Sequence, residues 1–146
     1  MTTNDQHGMR VLVAGADEDG RSAIVSEQQM SLLQAPEAPE FWFAELFRST
    51  ESSAPPARRA GRLDIGIEEG RMVWQVIDYA PFASPPMHHT TTIDLDMVLQ
   101  GSIELLLDDG AHVLEAGDAV IVPGVDHAWK AGPDGCRLSV TFLGTR

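Results

Sequence analysis

MHHTTTIDLDMVLQGSIELLLDDGAHVLEAGDAVIVPGVDHAW, residues 87–129, decides the fold. It is a series of short apolar and β-branched runs separated by turns. Thr91–Leu99 reads as a strand, and Gly101 breaks it. Ser102–Leu107 is a second strand, ended by Asp108-Asp109-Gly110. Ala111–Leu114 is a third, ended by Ala116-Gly117-Asp118, and Ala119–Val122 a fourth, ended by Pro123-Gly124. Asp-Gly and Pro-Gly steps punctuate hairpins because glycine takes the positive φ that tight turns need. Imidazoles stand at both ends of the stretch and carboxylates in its middle.

Strand parity sorts the side chains, since residues two apart share a face. His88, Thr90, Thr92, Asp94, Asp96 and Val98 fall on one side. His89, Thr91, Ile93, Leu95, Met97 and Leu99 fall on the other. By parity alone, either face can be interior.

Outward from this core, the N-terminal half reads as further strands. Met1–Gly8 is a polar tail. Met9–Ala14 and Ser22–Gln28 flank the turn Asp17-Glu18-Asp19-Gly20, giving an N-terminal hairpin over residues 9–28. Gln34–Glu40 holds two prolines and reads as loop. Phe41–Phe47 reads as a strand apolar on both faces, so both faces need cover. A second subunit is one cover, and the chain's own hairpin is another.

Arg48–Gly61 is loop-like and leads to Arg58, Arg59 and Arg62. Those arginines are either a grip on a carboxylate near the barrel mouth or a solvated loop. Leu63–Gly70 is ambiguous between a helical turn and a linking strand. Arg71–Tyr79 is a strand, with Trp74 on one face and Tyr79 on the other. Three prolines keep Ala80–Pro86 out of any central strand. Gly132-Pro133-Asp134-Gly135 turns the chain, and Arg137–Leu143 closes it. Many short strands with turn signals at every break predict an all-β double sheet or barrel.

Composition narrows the function classes. One domain over residues 1–146 is expected, with enough chain for a core. The chain has 22 acids against 10 bases, a net charge of -12, which argues against nucleic acid and anionic membranes. Cys136 is alone, so no disulfide forms within the chain and a reducing cytoplasm fits. No apolar run has the length of a signal segment or a membrane span.

The residues from Trp74 to Phe142 resemble the cupin superfamily, in its small single-domain form. The first cupin motif is glycine, five residues, His-x-His, three or four residues, Glu, six residues, glycine. His88 and Thr90 stand at the His-x-His places, Asp94 at the Glu place, and Gly101 closes the motif. The second motif runs from Gly117-Asp118 through Pro123-Gly124 to His127. The departures are Thr90 for the second histidine, Asp94 for glutamate, and Ala131 where asparagine is common. The motif's leading glycine is also missing, since Pro81–Pro86 occupies that region.

The resemblance implies a double-stranded β-helix, or jelly-roll cupin barrel, with a core of about residues 71–143. The hairpin 9–28 and the strand 41–47 would pack on it, and a homodimer is expected. It places His88 and Asp94 inside and His89 outside. It implies a divalent metal (Zn, Fe, Mn or Ni) on His88, Asp94 and His127, a two-histidine, one-carboxylate set. Water or a side chain such as Gln100 would complete the shell. The alternative is a metal-free barrel in which these three side chains hydrogen-bond.

Asp96 shares Asp94's face, and two interior carboxylates one step apart do not both ionise without a cation between them. Either a metal neutralises them or one stays protonated, fit for acid–base work. The plainer reading has Asp96 capping a turn or lying near a solvated mouth. Trp129 shares a face with His127 and either walls a pocket or fills the core. His112 reads as surface.

The expected function is metal-assisted lyase, dehydratase, isomerase or cyclase chemistry on a polyketide-like or aromatic carbonyl substrate. Asp96 or His127 would shuttle the proton, while Trp129 and Tyr79 shape the pocket. An Fe-dependent dioxygenase is the second reading, and a non-catalytic ligand-binding barrel the third.

Overall fold

The computed structural model describes residues 3–49 and 57–146. Among them are ten strands and no helix: β1 (Thr3–Ala16), β2 (Ser22–Ala35), β3 (Ala38–Phe43), β4 (Gly61–Arg62), β5 (Met72–Tyr79), β6 (His88–His89), β7 (Thr92–Leu107), β8 (Gly110–Glu115), β9 (Ala119–Val122) and β10 (Ala128–Gly144). Eight form one curled sheet in the order β3-β2-β1-β9-β7-β10-β5, with β8 paired to β7. β4 and β6 make a separate two-stranded ribbon. The architecture is the all-β jelly-roll type expected, curled into a half-barrel.

Two strands are longer than the turn signals suggested, and the reason is local. Gly101 does not end its strand: β7 runs through it as one element of 16 residues. Gly132–Gly135 does not turn the chain away either, and β10 runs for 17 residues. The β7–β10 register slips between Ala131 and Cys136, so the irregularity is absorbed as a bulge. Gly101 and Gly135 both sit at φ +74°, and a Cβ at Gly101 would lie 2.1 Å from Gly135 O. Only glycine permits that approach, so the bend is written into both positions.

A second slip, between Arg137 and Leu138, gives β7 one extra residue at Leu99 and reverses which parity of β7 faces inward. Before Gly101, Thr92, Asp94, Asp96 and Val98 are buried; after it, Ile103, Leu105 and Leu107 are. They join Leu12, Leu114, Val120, Val122, Trp129, Leu138, Val140 and Phe142 on the concave side. At roughly 25 cal/mol per Å² of apolar area, each fully buried leucine contributes about 2 kcal/mol. The outer face carries Val11, Ala119 and Ile121, with Ile93, Leu95 and Met97 beside them.

The N-terminal hairpin is longer than 9–28. β1 begins at Thr3, inside the segment read as a tail, where Thr3 pairs with Leu33. The reading of 34–40 as loop and 41–47 as strand is displaced. The turn is at residues 36–37, β3 ends at Phe43, and Leu46 and Phe47 lie as irregular chain on the outer face. Of the two prolines that suggest a longer loop, Pro36 lies in the tight turn and Pro39 in β3. Part of the 48–61 loop, residues 50–56, lies outside the described residues. Residues 63–70 form neither helix nor strand.

β5 is an edge strand, paired on one side only. Its outward row Met72, Trp74 and Val76 is 66, 75 and 56% exposed. Its inward row begins with Val73, opposite buried Phe142, and Gln75, opposite buried Val140; both β5 residues are exposed. The concave side is therefore open along this edge.

Candidate active site

Two groups of polar side chains lie on the concave side. The first is carried by the N-terminal half of β7, where alternation places Thr92, Asp94 and Asp96 in one inward row. All three are at most 4% exposed. Thr92 Oγ1 donates to Asp94 Oδ1 at 2.5 Å, and Thr90 and Thr92 share a hydroxyl contact of 2.7 Å. Thr92 has a single hydroxyl hydrogen, already given to Asp94, so Thr90 is the donor in that contact. The row is thus a directed chain, Thr90 to Thr92 to Asp94. Asp96 Oδ2 is buried with no hydrogen-bond partner among the described residues.

The electrostatics follow from burial. Asp94 is pushed up to about 6 by loss of solvent, opposed by the Thr92 hydrogen bond. Asp96 rises well above the usual carboxylate range, first through burial and then through Asp94's charge. Tyr79, half-buried on β5, is raised to about 12, mainly by burial and then by Asp96. Both carboxyls are thus held above the usual carboxylate range, each by loss of solvent.

The second group is imidazole. β6 meets residue 127 through an isolated antiparallel bridge, with reciprocal His88–His127 backbone hydrogen bonds of 2.9 Å. The two rings lie with centroids 4.6 Å apart, and Trp129 stands edge-on to His127 at 6.1 Å. His127 is buried, and that burial lowers it to about 4, so it is neutral. Its Nδ1 contacts Val125 O at 2.9 Å, and Nδ1 of His88 contacts Pro86 O at 3.1 Å. A carbonyl only accepts, so each Nδ1 carries the hydrogen and each Nε2 the lone pair.

A strap holds the turn before His127. Arg59 and Ala60 backbone N–H groups donate to Asp126 Oδ2 at 2.6 and 3.0 Å. Arg58 Nε donates to Gly124 O at 2.9 Å, and His89 Nδ1 donates to Ala60 O at 3.0 Å. Arg58 therefore has a structural partner, in place of the free carboxylate grip considered for the arginines. Asp126 is 2% exposed and anchors the strap. Gly124, at φ +73°, packs so closely that a Cβ would meet Thr90 O at 3.2 Å and Thr92 O at 3.3 Å.

The candidate residues thus fall into two sets. His88, His127 and Trp129 come together, and His89 turns away toward Asp126, 3.6 Å from its Oδ1. Asp94, Asp96 and Tyr79 form the other set. Asp96 neither caps a turn nor reaches a solvated mouth. His112 sits beside Asp109 at 2.6 Å, away from both sets.

The proposed ligand triad is not assembled: among the described residues, no three His, Cys, Asp or Glu side chains are grouped to hold a metal ion. The physical reason is that Asp94 lies on β7 beyond the bend at residues 90–91, where its short carboxylate is engaged by Thr92. Gln100, considered as a further ligand, is exposed. Two imidazole Nε2 atoms suit the divalent metal that the resemblance implies, but among the described residues no third donor is grouped with them. Thr92 and Asp126 are not among the candidate residues that the sequence suggests. Parity puts Thr92 in line with Asp94; nothing in the sequence marks Asp126.

No family model matches the chain. Over 62 residues it is 37% identical to phomopsin biosynthesis cluster protein C' of Diaporthe leptostromiformis, covering 42% of this chain and 33% of that one. Over 58 residues it is 33% identical to the cupin-domain-containing oxidoreductase virC of Hypocrea virens, covering 39% and 30%. The matched segments thus span about a third of the length of these relatives. Among solved structures, the polyketide cyclase RemF from Streptomyces resistomycificus is 30% identical with a TM-score of 0.46, over 53% of this chain and 56% of that one. A cupin 2 conserved barrel domain protein from Salinispora arenicola is 20% identical with a TM-score of 0.45, over 58% and 74%. Relatives that match part of the chain carry the cupin name, and the curled all-β sheet is the fold that the resemblance of Trp74–Phe142 implies. Among the described residues, no helix is long and apolar enough to cross a membrane.

Proposed function

We propose that the chain is a small-molecule enzyme of secondary metabolism that moves a proton at carbon beside a substrate carbonyl. Lyase, dehydratase, isomerase and cyclase steps on polyketide-like or aromatic carbonyl compounds share that requirement. The carrying observation is the buried pair Asp94 and Asp96, one step apart on one face, with Asp96 Oδ2 unpartnered. An ionised carboxylate beside a neutral carboxylic acid is a matched base and acid. Asp94 takes the carbon-bound proton, and Asp96 donates to the carbonyl oxygen as it gains charge. Tyr79, in the same set as the acid pair, supplies an apolar wall, and the open β5 edge is the route of entry. The relatives named for biosynthesis clusters support the secondary-metabolism part.

The test is solvent deuterium exchange into acetylacetone, a small enolisable diketone, followed by proton NMR. The intact protein is expected to accelerate exchange over buffer by at least about a hundredfold, the usual scale of positioned acid–base groups. Asp96→Asn should abolish most of it. Exchange equal to buffer, or undiminished in Asp96→Asn, would remove the proposal.

Three relatives are named as oxidoreductases, which favours a second reading of redox chemistry at the His88–His127 pair. Metal analysis of the purified protein tests it. Stoichiometric iron that is lost in His127→Ala supports this reading, and occupancy unchanged by that substitution sinks it.

A further inference from the structure

We propose that a second copy of this chain docks on the outer face of the sheet, from the outward row of β5 to the cleft beside residues 44–47, giving a two-fold dimer.

The face has a ridge and a hollow side by side. The ridge is Met72, Trp74 and Val76, at 66, 75 and 56% exposed. The hollow is an open cleft of about 390 Å³ between the chain at 44–47 and the sheet, walled by Leu46, Phe47, Leu95, Met97 and Ile121. The two share a border at Ser139, which lines the cleft and accepts a hydrogen bond from Trp74 Nε1 at 2.8 Å. That bond fixes the indole before any partner arrives, so little side-chain freedom is lost on docking. A two-fold axis near Ser139 sets the ridge of each copy over the cleft of the other, and such a contact closes at two copies.

Area and charge both select a second copy as the occupant. The three ridge side chains leave on the order of 400 Å² in water. A standard interface buries about 800 Å² per partner, a little over half of it apolar. Ridge and cleft walls together therefore supply the apolar share. The flanking charges are matched within the chain. Arg137 holds Asp78 through two hydrogen bonds of 2.8 and 3.0 Å, and Arg48 pairs with Glu45. The chain carries a net charge of -12, yet the charges flanking this face cancel in pairs. The face thus neither draws a basic partner nor repels a copy of itself. Edge-to-edge pairing of β5 is the competing arrangement, and it leaves both ridge and cleft in water.

The test is sedimentation of the full chain at about 10 µM, where an interface of standard size holds two copies together. The expected mass is twice 15.8 kDa. Val76→Lys puts an unpaired charge on the ridge and should raise the dimer dissociation constant at least about tenfold. Val113→Lys, at an exposed apolar position on β8 outside this face, should leave it within about twofold. Added salt should not weaken the dimer, because its contact is apolar and two acidic chains repel at long range. A chain monomeric at about 100 µM would overturn the proposal. So would a dimer that Val76→Lys leaves intact, the result that edge pairing or contact through another face gives. Should Val76→Lys not fold, Met72→Lys is read the same way.

Discussion

The rings of His88 and His127 lie with centroids 4.6 Å apart, tilted by 58°, and each offers its Nδ1 to a carbonyl two residues earlier in the chain. The two imidazoles, from opposite ends of the stretch that decides the fold, are thereby fixed in the same tautomer. Burial keeps His127 neutral by lowering it to about 4.

That shift has a stability consequence. A histidine whose folded pKa is depressed favours the unfolded state once it can be protonated there. Its full contribution is present above the unfolded value near 6.5 and is lost as pH falls toward 4. The loss should reach about 3 kcal/mol. Urea unfolding at pH 7 and pH 4 should therefore show a smaller drop for His127→Gln than for wild type. An identical drop would contradict the burial argument.

Asp94 acts in the other direction. Its folded pKa is raised to about 6, so ionisation is harder in the folded protein, and stability falls as pH rises from about 4 to 6. Asp94→Asn should remove that penalty. The variant should be the more stable protein at pH 8, by on the order of 2 kcal/mol, and the advantage should vanish below pH 4. A variant less stable than wild type at pH 8 would show that the Thr92 hydrogen bond outweighs desolvation.

The bend in β7 depends on Gly101. Gly101→Ala combines a left-handed backbone with a Cβ 2.1 Å from Gly135 O, and the obstructing atom is backbone. The expected cost is at least about 3 kcal/mol. Gly66→Ala is the comparison, since it has φ +72° but open space around it. It should cost only about 1–2 kcal/mol. Equal losses would mean that the close approach carries no weight.

Asp126 accepts two backbone hydrogen bonds from the strap at Arg59 and Ala60. Asp126→Ala should speed amide hydrogen exchange at residues 59 and 60 by roughly tenfold or more, while Leu105 and Leu138 amides in the central strands keep their protection. Exchange at 59 and 60 that does not change would show the strap is held by the β4–β6 pairing alone.

Much of this was legible in the sequence, because alternation and glycine punctuation are local. The inward row of Thr92, Asp94 and Asp96 follows from parity alone once one member is placed. What misled was the meaning of glycine. At Gly110 it ends a strand pair, whereas at Gly101 it bends a strand that continues. The difference lies in Gly135, far along the chain, whose carbonyl needs the space that Gly101 leaves open. The same non-locality separates the site into two groups. Motif spacing put His88, Asp94 and His127 together, but whether the carboxylate reaches the imidazoles depends on how the chain bends at residues 90–91 and on Thr92. Asp126 looked like an ordinary turn aspartate because its partners come from residues 59 and 60.

The most direct measurement is a carbon-13 titration of the Asp94 and Asp96 carboxyls between pH 3 and pH 9. Asp94 should titrate near 6, and Asp96 should remain protonated well beyond it. Two carboxyls that both ionise below about pH 5, at the values of solvated aspartates, would show that they do not form a buried acid–base pair.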